Sequence, residues 1–284
     1  MLTISPIKYN NISFGTFFNN VHDDNDRLKY RGDTSICRND LYFPEVVLYL
    51  NDKYKSVPKV NVVMHACSDG EEVYSFLGVL KSMFGKNADK FLPVRARDIE
   101  PTHLNLAQKG VYRINRGEYD IANIYMNGNF YDYFDNISNN NFPNPLDAKH
   151  SKMIMRYRSP EDTFPKDIKV KDCLRELVNF SQGSIIEDVK VMDFKNTVLF
   201  ARNFWPYLEK DEINELAKTL SKKMDNSSTL IIGDYDKDYN INKLLESYGF
   251  VEVKDNIFEL PKYPNYESRI KDIYEYKDFS FYKD

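Results

Sequence analysis

Between Val60 and Leu260 the chain alternates short buried-strand patterns with amphipathic helix patterns, and few folds accept that alternation. Val60, Val62 and Met64 lie in a continuous apolar run that stops at Cys67-Ser68-Asp69-Gly70. Val73, Leu77, Leu80 and Phe84 then recur at helical spacing, with Gly85 at the expected C-cap. Leu92, Val94 and Ala96 predict a second strand ending at Asp98, and Pro101 opens a helix that Gly110 closes. Further strands are predicted at Val198–Ala201 and Thr229–Ile232. Helices are predicted from about Asp211 to Met224 and near Ile241–Tyr248. Phe250–Val253 and Ile257–Leu260 flank Lys254-Asp255-Asn256 as a hairpin. The expected fold is therefore α/β, with a mostly parallel sheet, helices on both faces and an antiparallel strand from the C-terminal hairpin.

A helix with Leu41, Val46, Val47 and Leu50 on one face leads into this pattern. Residues 1–33 read as an irregular N-terminal arm, 34–260 as the main domain, and 261–284 as a charged, tyrosine-rich tail. The stretch from about 118 to 167 is rich in Asn, Tyr, Asp and Pro and shows no period. It is expected to be an insertion, either a lid or a surface loop.

In open α/β sheets, ligands bind beyond the carboxyl ends of the strands. The first such end, Ala66-Cys67-Ser68-Asp69-Gly70-Glu71-Glu72, enters a helix with a glycine and two adjacent carboxylates. Those carboxylates would repel a pyrophosphate but suit a ligand carrying an ammonium and a sulfonium. A nicotinamide dinucleotide is disfavoured further, because no G-x-G-x-x-G follows the first strand. Asp98, at the second end, is either a ribose ligand or a helix cap. Arg202-Asn203, at the third, either holds a ligand against Phe204, Trp205 and Tyr207 or forms a salt bridge above core aromatics.

Composition closes other routes. A net charge of -4 argues against a dedicated nucleic-acid binder. No stretch approaches the roughly 18 apolar residues of a membrane span, and the N-terminus lacks a signal-peptide layout. Three cysteines without paired spacing suggest neither a disulfide framework nor a metal site, so a cytoplasmic protein is expected. Arg95, Arg97, Arg113, Arg116, Arg156 and Arg158 form either a patch that steers an acidic protein or a solvated face.

Five segments, in order, resemble the CheR-type chemotaxis-receptor methyltransferases. Ala66-Cys67-Ser68-Asp69-Gly70-Glu71-Glu72-Val73-Tyr74-Ser75 is similar to that family's A/G-C-S-T-G-E-E-P-Y-S. Asp98-Ile99 with Leu104, Ala107, Gly110 and Tyr112 matches its D-I-x-x-x-x-L-x-x-A-x-x-G-x-Y. Val178, Phe180, Ser184 and Ile185 resemble V-x-F-x-x-x-N-L. Phe200-Ala201-Arg202-Asn203 with Tyr207 resembles F-C-R-N-x-x-x-Y, and Thr34–Arg38 resembles T-x-F-F-R. The resemblance spans about Thr34 to Leu260. It departs from the family at Gly32 (usually Asn), Ile36 and Cys37 (Phe), Asp69 (Thr), Val73 (Pro) and Ser184 (Asn). The family's basic helical N-terminal domain has no evident counterpart in residues 1–33.

The resemblance implies a Rossmann-like class I methyltransferase fold and esterification of a protein glutamate, on a chemotaxis receptor or related acceptor. S-adenosyl-L-methionine would be the donor and S-adenosyl-L-homocysteine the product. Glu72 would meet the donor's amino group and Asp98 its ribose, while Ser184, Ile185, Ala201 and Arg202 surround the adenosine. Thr34 and Arg38 would hold its carboxylate end, and Arg38 and Tyr207 would orient the acceptor carboxylate as the catalytic pair. Ala66, Ser68, Gly70 and Asn203 complete the expected donor site. A monomer acting on a protein partner, without nucleic acid, membrane insertion or metal, is the expectation. The alternative is a catalytically degenerate module that keeps the fold and binds the donor or a partner without turnover.

Overall fold

The computed structural model describes residues 34–38, 40–138, 164 and 166–261. The expected arm at 1–33 and nearly all of the tail lie outside the described residues. Ten strands are present among them. They are β1 (Asn61–His65), β2 (Val94–Asp98), β3 (Val111–Ile114), β4 (Phe134–Asn136), β5 (Lys166–Val170), β6 (Val178–Gln182), β7 (Thr197–Ala201), β8 (Thr229–Ile231), β9 (Val251–Lys254) and β10 (Ile257–Glu259).

Seven of them form one sheet in the order β6-β2-β1-β7-β8-β10-β9. β6, β2, β1, β7 and β8 run parallel, whereas β10 is antiparallel to β8 and to β9. The chain builds outward from β1 to β6, returns to β7 on the other side, and closes with the antiparallel hairpin. The sheet is thus the doubly wound α/β arrangement that the alternation predicted.

The continuous apolar strands follow from burial on both faces. On β1, Val62 and Met64 enter one core and Val63 the other; on β7, Val198 and Phe200 oppose Leu199 and Ala201. Three helices cover the first face: α1 (Phe43–Lys53), α2 (Glu71–Phe84) and α3 (Pro101–Lys109). Helices Ile185–Val191, Lys210–Lys223 and Ile241–Ser247 cover the second. A partly buried amine ties α1 to the hairpin: Lys53 Nζ lies 2.5 Å from Glu259 and also donates to Ser228 O and Thr229 Oγ1.

The stretch expected to lack pattern is partly regular. A fourth helix, α4 (Arg116–Tyr125), starts on a reciprocal cap in which Asn115 and Glu118 exchange side-chain and backbone hydrogen bonds. β5 pairs antiparallel with both β3 and β4 in a separate three-stranded sheet. Periodicity missed these elements because the strands are only three to five residues long and α4 buries little: Ala122 is its one fully buried residue. Of the arginines read as a patch, Arg95 is exposed, while three others have partners within the chain. Arg97 pairs with Asp188, Arg113 forms a bidentate pair with Asp167, and Arg116 lies over the Phe164 ring. Arg156 and Arg158 lie outside the described residues. Among the described residues, no helix is long and apolar enough to cross a membrane.

Candidate functional site

The order of strands reverses between β1 and β7, and a cavity opens beyond their carboxyl ends, at the switch point where such sheets bind ligands. Of the predicted site residues, Thr34, Arg38, Ala66, Ser68, Glu72, Asp98, Ser184, Ile185, Arg202, Asn203 and Tyr207 line it. Gly70 and Ala201 do not. Ala201 is fully buried in the core, where its carbonyl accepts a hydrogen bond from Trp205 Nε1. Gly70 serves packing instead. Its φ is +87°, and a Cβ there would lie 2.8 Å from the Ala107 Cβ on α3.

The loop after β1 is held in an unusual backbone. Ala66 and Ser68 adopt positive φ, at 52° and 47°, as does Cys37 at 50° in the loop that carries Arg38. Every other non-glycine residue with positive φ among those described is an asparagine, a residue that tolerates this conformation. Strain of about 1–3 kcal/mol per position persists only where the surroundings fix it, and it concentrates at functional sites. Here the fixing contacts are specific. Ser68 N–H donates to Asp98 Oδ2 at 2.7 Å, and Gly70 N–H to Cys67 O. Cys37 N–H donates to Ser75 Oγ at 2.7 Å, and Ser75 in turn donates to Glu71 O. Tyr74 and Tyr112 bond the carbonyls of Ala107 and Asp69.

Of the two readings of Asp98, the simple helix cap is not what the structure shows. Glu100 occupies the N-cap position of α3, while Asp98 accepts the Ser68 and Glu100 N–H groups, one on each carboxylate oxygen. Those bonds aim the carboxylate at the cavity that it lines.

A chain of alternating charge crosses the floor. Arg38 Nη2 lies 2.6 Å from Asp40 Oδ2. Arg202 Nη2 lies 3.1 Å from Asp40 Oδ1, and Arg202 Nη1 lies 2.5 Å from Glu72 Oε2. The Arg202 side chain is only 2% exposed. Burial alone would lower its pKa, but Glu72 and Asp40 outweigh burial and raise it. Burial likewise pushes Asp40 up, and Arg202 and Arg38 reverse that, holding the carboxylate well below its usual range. Behind the cavity, burial first and then Arg97 and Arg95 depress His65 to about 3, so its imidazole is neutral.

Sequence reasoning missed several participants. His65, Ile99, Glu100, His103, Gly183 and Leu208 also line the cavity, beside Cys67 and Phe204 from the turns already singled out. Asp40 stands two residues after Arg38, so one half of its pairing was visible, whereas its second partner, Arg202, comes from the fold. His103 was not visible, because its partner Asp69 is 34 positions away.

The residues present fit a donor carrying an ammonium, a carboxylate, a sulfonium, a ribose and an adenine. Acids end β1 and β2, a part-exposed guanidinium enters from the Arg38 loop, and Ile99, Ile185 and Phe204 supply apolar surface. Among the described residues, the buried Arg202 Nε, Asn203 Oδ1 and Asp236 Oδ1 at the Arg202–Asn203 turn have neither a hydrogen bond nor an ion-pair partner, and the same holds for Asn242 Oδ1 and Asn256 Oδ1 elsewhere. Of these residues Arg202 and Asn203 line the cavity, where a polar ligand would meet such atoms.

The fold is the Rossmann-like class I methyltransferase fold, with a cavity at its switch point. Residues 32–134, just over a third of the chain, match the family model described as CheR methyltransferase, SAM binding domain. That segment is similar to the CheR-type S-adenosylmethionine-dependent methyltransferases, and the match supports S-adenosylmethionine as the cofactor. No curated protein matches it. Among solved structures it is similar to the methyltransferase domain of bacterial CtHen1-C, at 13% identity over 78% of this chain and 98% of that one, with a TM-score of 0.37. It is also similar to a TehB-like SAM-dependent methyltransferase from Corynebacterium glutamicum, at 12% identity over 79% and 90%, with a TM-score of 0.35. A third similarity is to magnesium protoporphyrin IX methyltransferase from Synechocystis, solved with bound SAH, at 11% identity over 86% and 77%, with a TM-score of 0.31.

Proposed function

We propose that this methyltransferase esterifies a glutamate side chain on a protein acceptor. The observation that carries the reading is the Arg38–Asp40–Arg202–Glu72 relay lying beside Tyr207 at the cavity. It supplies cationic and phenolic groups for a carboxylate acceptor next to acids suited to the donor. Glu72 and Asp98 would hold the donor's amino and ribose groups, and Arg38 with Thr34 its carboxylate end. Ser184, Ile185 and Ile99 would border the adenine.

The bound donor supplies an electrophilic methyl on a sulfonium. A carboxylate oxygen forms the new C–O bond as the C–S bond breaks, and the electron pair remains on sulfur as a thioether. No proton needs to move, since a glutamate with an ordinary pKa near 4.3 is already ionised at pH 7. The chain's task is positioning and exclusion of water, where orientation can contribute roughly 7–11 kcal/mol. A neutral His65 is consistent with a reaction that requires no general base.

The test is incubation with methyl-labelled donor and candidate chemotaxis receptors or a cell extract, followed by alkali. Label released from protein as methanol supports the ester. A second reading, a donor-binding module without turnover, draws on Ser184, which stands where the family has Asn. It predicts S-adenosylhomocysteine binding with no labelled acceptor.

A further inference from the structure

Behind the Arg202–Asn203 turn sits a carboxylate that the reaction itself does not use. Asp236 follows β8, in the helix Asp234–Asp238, and is fully buried. Its Oδ2 accepts two backbone donors, the Asn203 N–H at 2.7 Å and the Gly233 N–H at 2.8 Å, and the Trp205 backbone adds a third. Asn203 is held there at φ 58°. Its side chain donates to Asp40 Oδ2 at 2.9 Å, the same oxygen that pairs with Arg38.

The opposite wall is equally tight. Gly233 has an ordinary φ of -100°, so it is not glycine for conformational reasons. A Cβ there would fall 1.8 Å from Asn203 Oδ1. The end of β8 therefore grips residue 203 from two sides, through a carboxylate on its backbone and a bare backbone against its side chain. Residues 202 to 207 carry Arg202, Asn203 and Tyr207, all three at the cavity.

We infer that Asp236 is a positioning residue for the donor site: it fixes the left-handed turn at Asn203 and, through that turn, the Arg202–Asp40–Arg38 relay. It touches no reacting atom. Arg202 is the charged side chain that acts on it; the neighbouring Lys237 turns away to Glu252 and Asp255. Burial raises the Asp236 carboxyl to about 7, against the pull of its backbone donors and Arg202. A charged carboxylate grips N–H groups more strongly than a neutral one. The grip therefore tightens as the pH rises through neutrality.

The inference rests on the donor reading and is tested by calorimetric titration of the full chain with S-adenosylhomocysteine. At pH 8.5, Asp236→Asn should weaken binding roughly ten- to a hundred-fold, the scale for a group that orients ligating residues. At pH 6, where the native carboxyl is protonated, the gap between variant and wild type should narrow. Gly233→Ala, which displaces Asn203 with the charge retained, should weaken binding at both pH values. Lys53→Met, which breaks a partly buried ion pair away from the cavity, should lower the melting temperature and leave affinity intact. An equal gap at both pH values, or an equal loss in Lys53→Met, would reduce Asp236 to a general stabiliser and overturn the inference. If Asp236→Asn does not fold, wild-type affinity in Gly233→Ala overturns it alone. A wild-type chain that fails to bind at all removes the donor reading and this inference with it.

Discussion

His103 Nδ1 lies 2.6 Å from Asp69 Oδ1, and the contact offsets the charge that Asp69 adds to the turn after β1. The hydrogen bond to Asp69 raises the His103 pKa, with burial opposing it and Asp98 and Glu100 assisting. A histidine raised on folding contributes stability that is complete below its unfolded value, near 6.5, and fades as pH climbs through the folded one. His103→Gln should therefore lower the melting temperature clearly at pH 5.5 and little at pH 9. Equal drops at both pH values would show that the pair is not ionic.

Glu71 shifts the pH dependence in the same direction for a different reason. Burial, then Asp69 and Glu118, raises its carboxyl from 4.5 to about 8, with Thr34 and Arg38 pulling back. Between those values the native state keeps a proton that the unfolded chain releases, so stability falls as pH rises. Glu71→Gln should flatten the melting profile from pH 5 to 8 and exceed wild type at pH 8.5. An unchanged slope would mean that Glu71 is ionised throughout.

Ser75 connects two site loops through one hydroxyl. It accepts from the Cys37 N–H, in a left-handed residue next to Arg38, and donates to Glu71 O. Ser75→Ala leaves a buried N–H without its partner, which costs about 1–3 kcal/mol. Urea unfolding should register that loss, and S-adenosylhomocysteine affinity should fall with it as the Arg38 loop loosens. Full affinity in a destabilised variant would detach the loop from the site.

Arg202 holds two carboxylates, Glu72 and Asp40, in a nearly water-free setting. Arg202→Met should destabilise by about 3–5 kcal/mol, the scale of a broken buried pair. Asp40 should then lose much of its depression. A depressed acid contributes stability above its unfolded value and loses it only as pH falls through the folded one. The wild type should thus tolerate acid better than the variant, as unfolding from pH 5 downward would show.

The fold was legible because β1, β7 and β8 are continuously apolar and the glycines at 85 and 110 mark helix ends. The three-stranded sheet was not, since its strands are short and α4 rests on a local cap at Asn115 in place of an apolar stripe. At the site, the motif residues located the cavity, but their roles divided in a way that spacing cannot express. Glu72 and Asp98 face it, whereas Gly70, Tyr74, Ser75, Ala107 and Tyr112 hold the loops around it. Long-range partners such as His103 for Asp69, or Asp236 for Asn203, depend on which strands become neighbours. That is a property of the folded sheet.

Gly70 and Ala107 offer the sharpest separation of backbone strain from packing. Alanine at 70 meets two obstacles, a φ of +87° and a Cβ only 2.8 Å from that of Ala107. The conformational part costs about 1–3 kcal/mol on its own. Ala107→Gly opens the space and costs roughly 1 kcal/mol as a glycine within a helix. If both obstacles act, the double variant should be more stable than the sum of the single losses predicts, by about 0.5–3 kcal/mol, the usual coupling between contacting sites. Donor affinity should recover alongside, because the turn that carries Ser68 would regain its place beside Asp98. Strict additivity in urea unfolding would assign the whole penalty at Gly70 to its backbone and leave Ala107 without a part in holding the turn.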